Sequence, residues 1–256
     1  MLPPSQLPVL FVSHGAPTLA LDAERGGRLR RWAEALDRPR AILAVSAHWE
    51  SPAPRLGTTS ARELLYDFGG FPEALYRLRY AAPPAPELAE RVRELLGGRV
   101  EDAPARPWDH GVWVPLLHMF PEADVPLVQL SLPRAAGAEL VELGRALRAL
   151  RSEDTLILCS GGAVHNLRQL DWRGGEEAPA WALEFEAWLR AALREGEVDA
   201  LAEAPRRAPG FAAAHPTPEH FLPLLIALGA GQGDEVRFPV EGWEFGSLSH
   251  LGVQFG

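Results

Sequence analysis

Three short apolar runs in this sequence end in groups able to bind a metal or move a proton. VLFVSHGAPT (9–18) carries four apolar residues into Ser13 and His14, then turns at Gly15 and Pro17. AILAVSAHWE (41–50) reaches Ser46 and His48 in the same way. TLILCSGGAVHNL (155–167) passes Cys159 and Ser160 and arrives at His165 through two glycines. Imidazole is the commonest metal ligand and titrates near neutral pH, and metal sites draw their ligands from separate elements. A single histidine in such a place is ordinarily a satisfied core or surface residue. Three at equivalent places after three strands point to a metal centre, although spacing does not name the metal. A fourth candidate lies in AAHPTPEHFLPLL (213–225). There Thr217 can cap a helix, Pro218 fits its first position, and Glu219 and His220 fall in the first turn. A cationic histidine is out of place at a helix start, whereas a neutral, metal-bound one is not. His215 in the preceding loop competes with His220, and the residues alone do not choose between them.

Short apolar runs alternate with amphipathic stretches around these histidines. Strands are expected at Pro8–Ser13, Ala41–Ser46, Val125–Leu130, Thr155–Ser160 and Ser247–Phe255. Helices are expected at Ala23–Leu36, Pro86–Leu96, Ala136–Leu150, Pro179–Arg194 and Pro218–Leu228, with stops at Gly97–Gly98 and at Gly229. This order predicts an α/β fold: a central, mostly parallel or mixed sheet with helices on both faces. No repeat or low-complexity linker divides the chain, so residues 1–256 are expected to form a single domain. In open α/β sheets ligands bind outside the carboxyl ends of the strands. If the three strands are parallel neighbours, His14, His48 and His165 converge on one rim.

Composition narrows the function. The formal net charge is −9, which argues against nucleic-acid and anionic-membrane partners. No stretch approaches the ~20 apolar residues of a membrane span. The N-terminus, MLPPSQLP, lacks the features of a signal peptide. The one cysteine, Cys159, excludes an intrachain disulfide, and a cytoplasmic location is expected. The sequence is compatible with a monomer or a homo-oligomer. Asn166 is its one asparagine, and it follows His165 directly.

The ordered set SHGAP, SAHWE, YDFGGFP, WDHGVW, VPLVQLS, SGGAVHNLR, PTPEHFLPLL and GSLS-x-x-x-VQFG resembles the 4,5-DOPA extradiol dioxygenase family. That family belongs to the class III extradiol ring-cleaving dioxygenases of the protocatechuate 4,5-dioxygenase beta-chain type. Each motif alone is weak, but the ordered set covers nearly the whole chain. The resemblance implies insertion of both atoms of O2 into a catechol such as L-DOPA. It implies metal ligands at His14, His48 and His220, with His165 as a further ligand or as the catalytic acid/base. It places His215 behind the ligands, because the family's segment before Pro216 can carry asparagine. It implies Fe(II) for activity, with Zn(II) able to take the same site.

Within this picture His165 is expected to take and return the substrate's protons, with Gly161 and Gly162 letting its loop approach closely. His110 in WDHGVW is expected to hydrogen-bond a catechol hydroxyl, with Trp108 or Asp109 shaping the pocket. The resemblance also makes YDFGGFP a pocket-lining loop, with Asp67 and Phe68 as candidate contacts. Asn166 is expected either to orient the His165 loop or merely to cap a turn, and Arg168 is a candidate for a substrate carboxylate. Glu219 could replace or assist His220, but neighbouring helix residues point apart. Ser13 and Ser46 read as turn or supporting residues, His118 and His250 as structural, and Cys159 as a small buried residue. A serine hydrolase using Ser160 lacks the G-x-S-x-G elbow and leaves His14 and His48 idle. A zinc-dependent hydrolase fits an all-histidine site better, and a non-enzymatic binding protein on the same scaffold is the third reading.

Overall fold

The computed structural model describes residues 6–57, 63–173 and 177–256. Among them the strands are β1 Val9–Ser13, β2 Ala41–Ser51, β3 Arg55–Gly57, β4 Glu101–Asp102, β5 Leu127–Pro133, β6 Thr155–Gly161, β7 Val236–Val240, β8 Trp243–Glu244, β9 Leu248–Ser249 and β10 Gly252–Phe255. The α-helices are α1 Ala23–Glu34, α2 Pro86–Leu95, α3 His110–Met119, α4 Gly137–Leu147, α5 Ala180–Glu195, α6 Val198–Ala202, α7 Ala204–Arg207, α8 Phe211–Ala214 and α9 Leu222–Ala230.

Eight strands form one mixed sheet in the order β4-β3-β5-β2-β6-β1-β10-β7. The central four, β5, β2, β6 and β1, are mutually parallel, while β3 and β10 flank them antiparallel. Side chains alternate between the two faces of a strand. On one face Val9, Phe11, Leu43, Val45, Ile157 and Cys159 pack under α2, α4, α5 and α9. On the other Leu10, Val12, Ile42, Ala44, Leu156 and Leu158 pack under α1 and α3. Both faces are covered, so the strands read as continuous apolar runs rather than alternating ones. The expected α/β architecture is therefore present.

Several expectations need correcting. Helix α3 was not anticipated, because nearly all of HGVWVPLLHM is buried and it has no polar face to create a helical period. The expected helix from Pro218 is a 3₁₀ turn, Pro218–His220, followed by α9. Gly229 does not stop that helix, which runs on to Ala230. A Cβ on Gly229 would lie 2.0 Å from the Val141 carbonyl oxygen, and one on Gly144 would lie 2.1 Å from that of Ile226. These glycines let α4 and α9 cross backbone to backbone. The single expected C-terminal strand is split: β9 pairs with β8 in a separate hairpin, and β10 joins the main sheet.

Strand β2 runs past Ser46 through a bulge. Ser46 pairs with Ser131 and Glu50 with Leu132, so Ala47, His48 and Trp49 face no residue of β5. A bulge re-aims side chains, and here it turns His48 out of the ladder at the rim.

Candidate metal centre and active site

Register brings the rim together. Ser13 of β1 pairs with Gly161 of β6, and Ser160 of β6 pairs with Ser46 of β2. His14 follows β1 directly, with its N–H on the Gly161 carbonyl at 3.0 Å. His220 arrives on the 3₁₀ turn, its carbonyl accepting from the Gly162 N–H at 2.9 Å. A Cβ on Gly161 would lie 2.1 Å from that carbonyl oxygen. Gly161 thus serves the approach of His220, whereas the sequence reading tied both glycines to the His165 loop.

The imidazoles of His14 and His220 are held by their Nδ1 atoms. Pro115 has no N–H, so the Gly111 carbonyl one turn earlier lacks its helix donor. The Ser160 hydroxyl donates to that carbonyl. It has one proton, so toward His14 Nδ1, 2.9 Å away, it accepts. His14 therefore carries its proton on Nδ1. Glu219 Oε1 lies 2.9 Å from His220 Nδ1, and a carboxylate only accepts, so His220 is also protonated there. Asp67 Oδ2 lies 3.3 Å from His48 Nδ1, and its charge favours the same tautomer.

The His48 Nε2 lone pair then faces those of both other rings. His48 Nε2 is 3.1 Å from that of His14 and 3.3 Å from that of His220. Burial, reinforced by the neighbouring histidines, holds His14 and His220 well below the usual imidazole range. Burial and His110 push His48 down to about 4. Neutral rings with facing lone pairs repel unless a cation sits between them. An ion with nitrogen bonds of about 2.0–2.1 Å separates adjacent ligand nitrogens by roughly 3.0 Å at right angles and roughly 3.3 Å at tetrahedral angles. The donor set and its spacing fit such an ion, and the carboxylate and hydroxyl behind the rings are the outer partners that metal-bound histidines use.

His110 and His165 stand beside this triad. His110 Nδ1 lies 2.7 Å from Asp67 Oδ1, and its ring centroid is 4.0 Å from that of His48. Its ligand atom also falls within 4.8 Å of those of His14 and His48. Burial raises the Asp67 carboxyl, but hydrogen bonds from His110 and the nearby imidazoles outweigh it, leaving the group below its ordinary value. His165 stacks on His220, with centroids 3.4 Å apart and planes 6° apart. Burial and the neighbouring His215 and His48 push its pKa down to about 4. Ligand atoms of His165, Glu219 and His220 also lie within 4.8 Å of one another.

These groups open on a cavity of about 630 Å³. Phe68, Phe71, Leu167 and Trp172 form apolar parts of its wall, and Asp67, Asn166, Arg168 and Glu219 also line it. Asn166 makes two hydrogen bonds in its loop. Its Oδ1 caps the Arg168 N–H at 3.0 Å, and its Nδ2 ties the loop to the Ala213 carbonyl at 2.6 Å. His215 lies behind the wall, donating from Nε2 to the Ala163 carbonyl at 3.0 Å among Phe185, Phe211 and Phe221.

Asp109 is the residue whose role the sequence did not reveal. It is fully buried behind the site and accepts from Ser46 at 2.7 Å, Gln129 at 2.6 Å and Arg106 at 3.2 Å. Arg106 also bonds the His48 carbonyl at 3.1 Å, so Asp109 braces the bulge. Trp108 is a core residue. A Cβ on Gly111 would meet Ser46 Oγ at 2.4 Å and His48 Cδ2 at 3.0 Å; the WDHG stretch thus seats the bulge as well as supplying His110. Ser13 links the Leu251 carbonyl to the Ala163 N–H. His118 bonds the Leu19 carbonyl at 2.8 Å, and His250 sits 3.3 Å from Glu244. Among the described residues, no helix is long and apolar enough to cross a membrane.

The chain is also similar to known proteins over nearly its whole length. Residues 9–256 match the family described as the catalytic LigB subunit of aromatic ring-opening dioxygenase. An Escherichia coli K12 protein named 4,5-DOPA dioxygenase extradiol is 41% identical, covering 98% of this chain and 96% of its own length. A Beta vulgaris protein of the same name is 39% identical over 96% of this chain and 95% of the relative. The crystal structure of the uncharacterized protein JW3007 from Escherichia coli K12 superposes with a TM-score of 0.84 at 37% identity, covering 98% of this chain and 100% of that one. By sequence over almost its entire length, this chain belongs to the family of aromatic ring-opening dioxygenase catalytic subunits.

Proposed function

We propose that this ring-opening dioxygenase acts on a catechol of the L-DOPA type, with its metal held by His14, His48 and His220. The carrying observation is the set of three neutral imidazoles whose Nε2 lone pairs converge at 3.1 and 3.3 Å. The substrate class is supported by the names of the relatives and by a cavity with aromatic walls beside that triad. Fe(II) is the proposed active metal, with Zn(II) able to occupy the same nitrogens. When bound, ferrous iron supplies the redox chemistry that brings a catechol and O2 together.

The chain's own residues do the rest. Phe68 and Phe71, packed edge to face, give the ring an apolar wall that excludes water. His110, its Nδ1–H fixed on Asp67, presents Nε2 as an acceptor to a catechol hydroxyl. His165, unprotonated at neutral pH, takes the second hydroxyl's proton and later returns one. Residues 1–256 act as one catalytic domain in the cytoplasm, with a small-molecule catechol and O2 as partners.

The test is O2 consumption after anaerobic reconstitution with Fe(II), using L-DOPA and simple catechols, with zinc-loaded protein as control. Substrate-dependent uptake with a yellow ring-opened product in the iron form alone supports the proposal. Ester or amide turnover by the zinc form without O2 would replace it with a hydrolase.

A further inference from the structure

We infer that Arg168 selects substrates carrying an anionic group beyond the catechol ring. This rests on the catechol reading above. Arg168 is the one arginine among the described residues lining the cavity. The two carboxylates there are already engaged: Asp67 by His48 and His110, Glu219 by His220 and Thr217. The Arg168 guanidinium is exposed and has no hydrogen-bond or ion-pair partner among the described residues. Its backbone, by contrast, is fixed. Asn166 caps its N–H at 3.0 Å and anchors the same turn to Ala213. A held backbone keeps the uncommitted guanidinium at the cavity wall, and carboxylates suit its donor fork in two-pronged fashion.

Position completes the argument. Arg168 lies three residues after His165, on the turn leading from the stacked imidazoles toward the Trp172 side of the cavity. A volume of about 630 Å³ is in the range that holds molecules larger than one ring. A catechol whose hydroxyls face the histidines has space for a side chain along the Leu167–Trp172 wall, and a carboxylate at its end meets Arg168.

The test uses two probes with the same ring, 3-(3,4-dihydroxyphenyl)propanoate and 4-ethylcatechol. Their equilibrium binding is measured on zinc-loaded wild-type protein and on Arg168→Gln and Arg168→Lys. The wild type should bind the acid more tightly than the neutral probe. Arg168→Gln should lower that preference about tenfold, and Arg168→Lys should restore part of it. A wild type without preference for the acid, a ratio unchanged within twofold in Arg168→Gln, or equal weakening of both probes would overturn the inference. Turnover of the same probes is measured separately with Fe(II) and O2. Selective binding of the acid without any O2 uptake would defeat the dioxygenase reading and leave the role of Arg168 standing.

Discussion

Replacing Asp67 with asparagine tests how the proposed metal centre is held. Asp67 uses one oxygen on the Nδ1 and main-chain N–H of His110, at 2.7 and 3.2 Å, and sets the other 3.3 Å from His48 Nδ1. An asparagine that keeps its oxygen on His110 turns its amide NH2 toward His48, donor against donor. His48 must then lose a partner or move its proton to Nε2, which removes a lone pair from the triad. A buried donor left without an acceptor costs about 1–3 kcal/mol, and losing an outer partner of a metal-bound histidine lowers affinity about 10–100-fold. The two ranges overlap. Asp67 is 20% exposed, so water offsets part of the loss, and the expected effect is about tenfold. Competition with a chelating dye for Zn(II) measures it directly. The iron form should also lose turnover, because His110 keeps its place less firmly. A zinc affinity within twofold of wild type, with normal turnover, would refute this chain of reasoning.

Further outcomes follow from other residues. His165→Ala should retain stoichiometric metal and lose ring cleavage by about 10²–10⁴-fold; metal analysis and O2 uptake check this, and full activity would remove His165 from the acid/base role. Gly111→Ala places a Cβ 2.4 Å from Ser46 Oγ and 3.0 Å from His48 Cδ2, so denaturant unfolding should show a loss of about 1–3 kcal/mol and metal affinity should fall with it. His215, buried and neutral, has its pKa pushed from 6.5 down to about 4 by desolvation. Above pH 6.5 it is neutral folded or unfolded. As pH falls from 6.5 toward 4, only the unfolded chain takes the proton, so stability should drop by about 3 kcal/mol. Metal-free protein carrying His215→Phe should show a shallower acid limb in urea unfolding between those values; an unchanged slope would show that His215 contributes nothing there.

The strands that build the rim were legible because apolar runs ending in Ser-His or Ser-x-His mark a buried strand meeting a polar edge. The reason the rim closes lay elsewhere. Nothing in AILAVSAHWE announces the bulge at Ala47–Trp49, since no glycine or proline interrupts it. Asp109 was expected to shape the pocket, whereas it braces the bulge through Ser46 and Gln129, partners distant in sequence. Helix α3 was hidden by burial on all sides, and Pro115 within it frees the carbonyl that accepts from Ser160, the partner of His14. Glu219 and His220 were weighed as competing ligands. In the fold the carboxylate holds the Nδ1 of the imidazole, so the pair works jointly. Gly229 was read as a stop signal, yet its position is decided by a helix crossing that sequence periodicity does not encode.

The most direct measurement is turnover of a catechol under ¹⁸O2 by the Fe(II)-loaded protein, with mass spectrometry of the ring-opened product. Incorporation of two labelled atoms by the wild type, together with loss of both metal and product in His14→Ala, His48→Ala and His220→Ala, is the predicted result. Unlabelled product, or full metal content and turnover after removal of any one of these three histidines, would contradict the account.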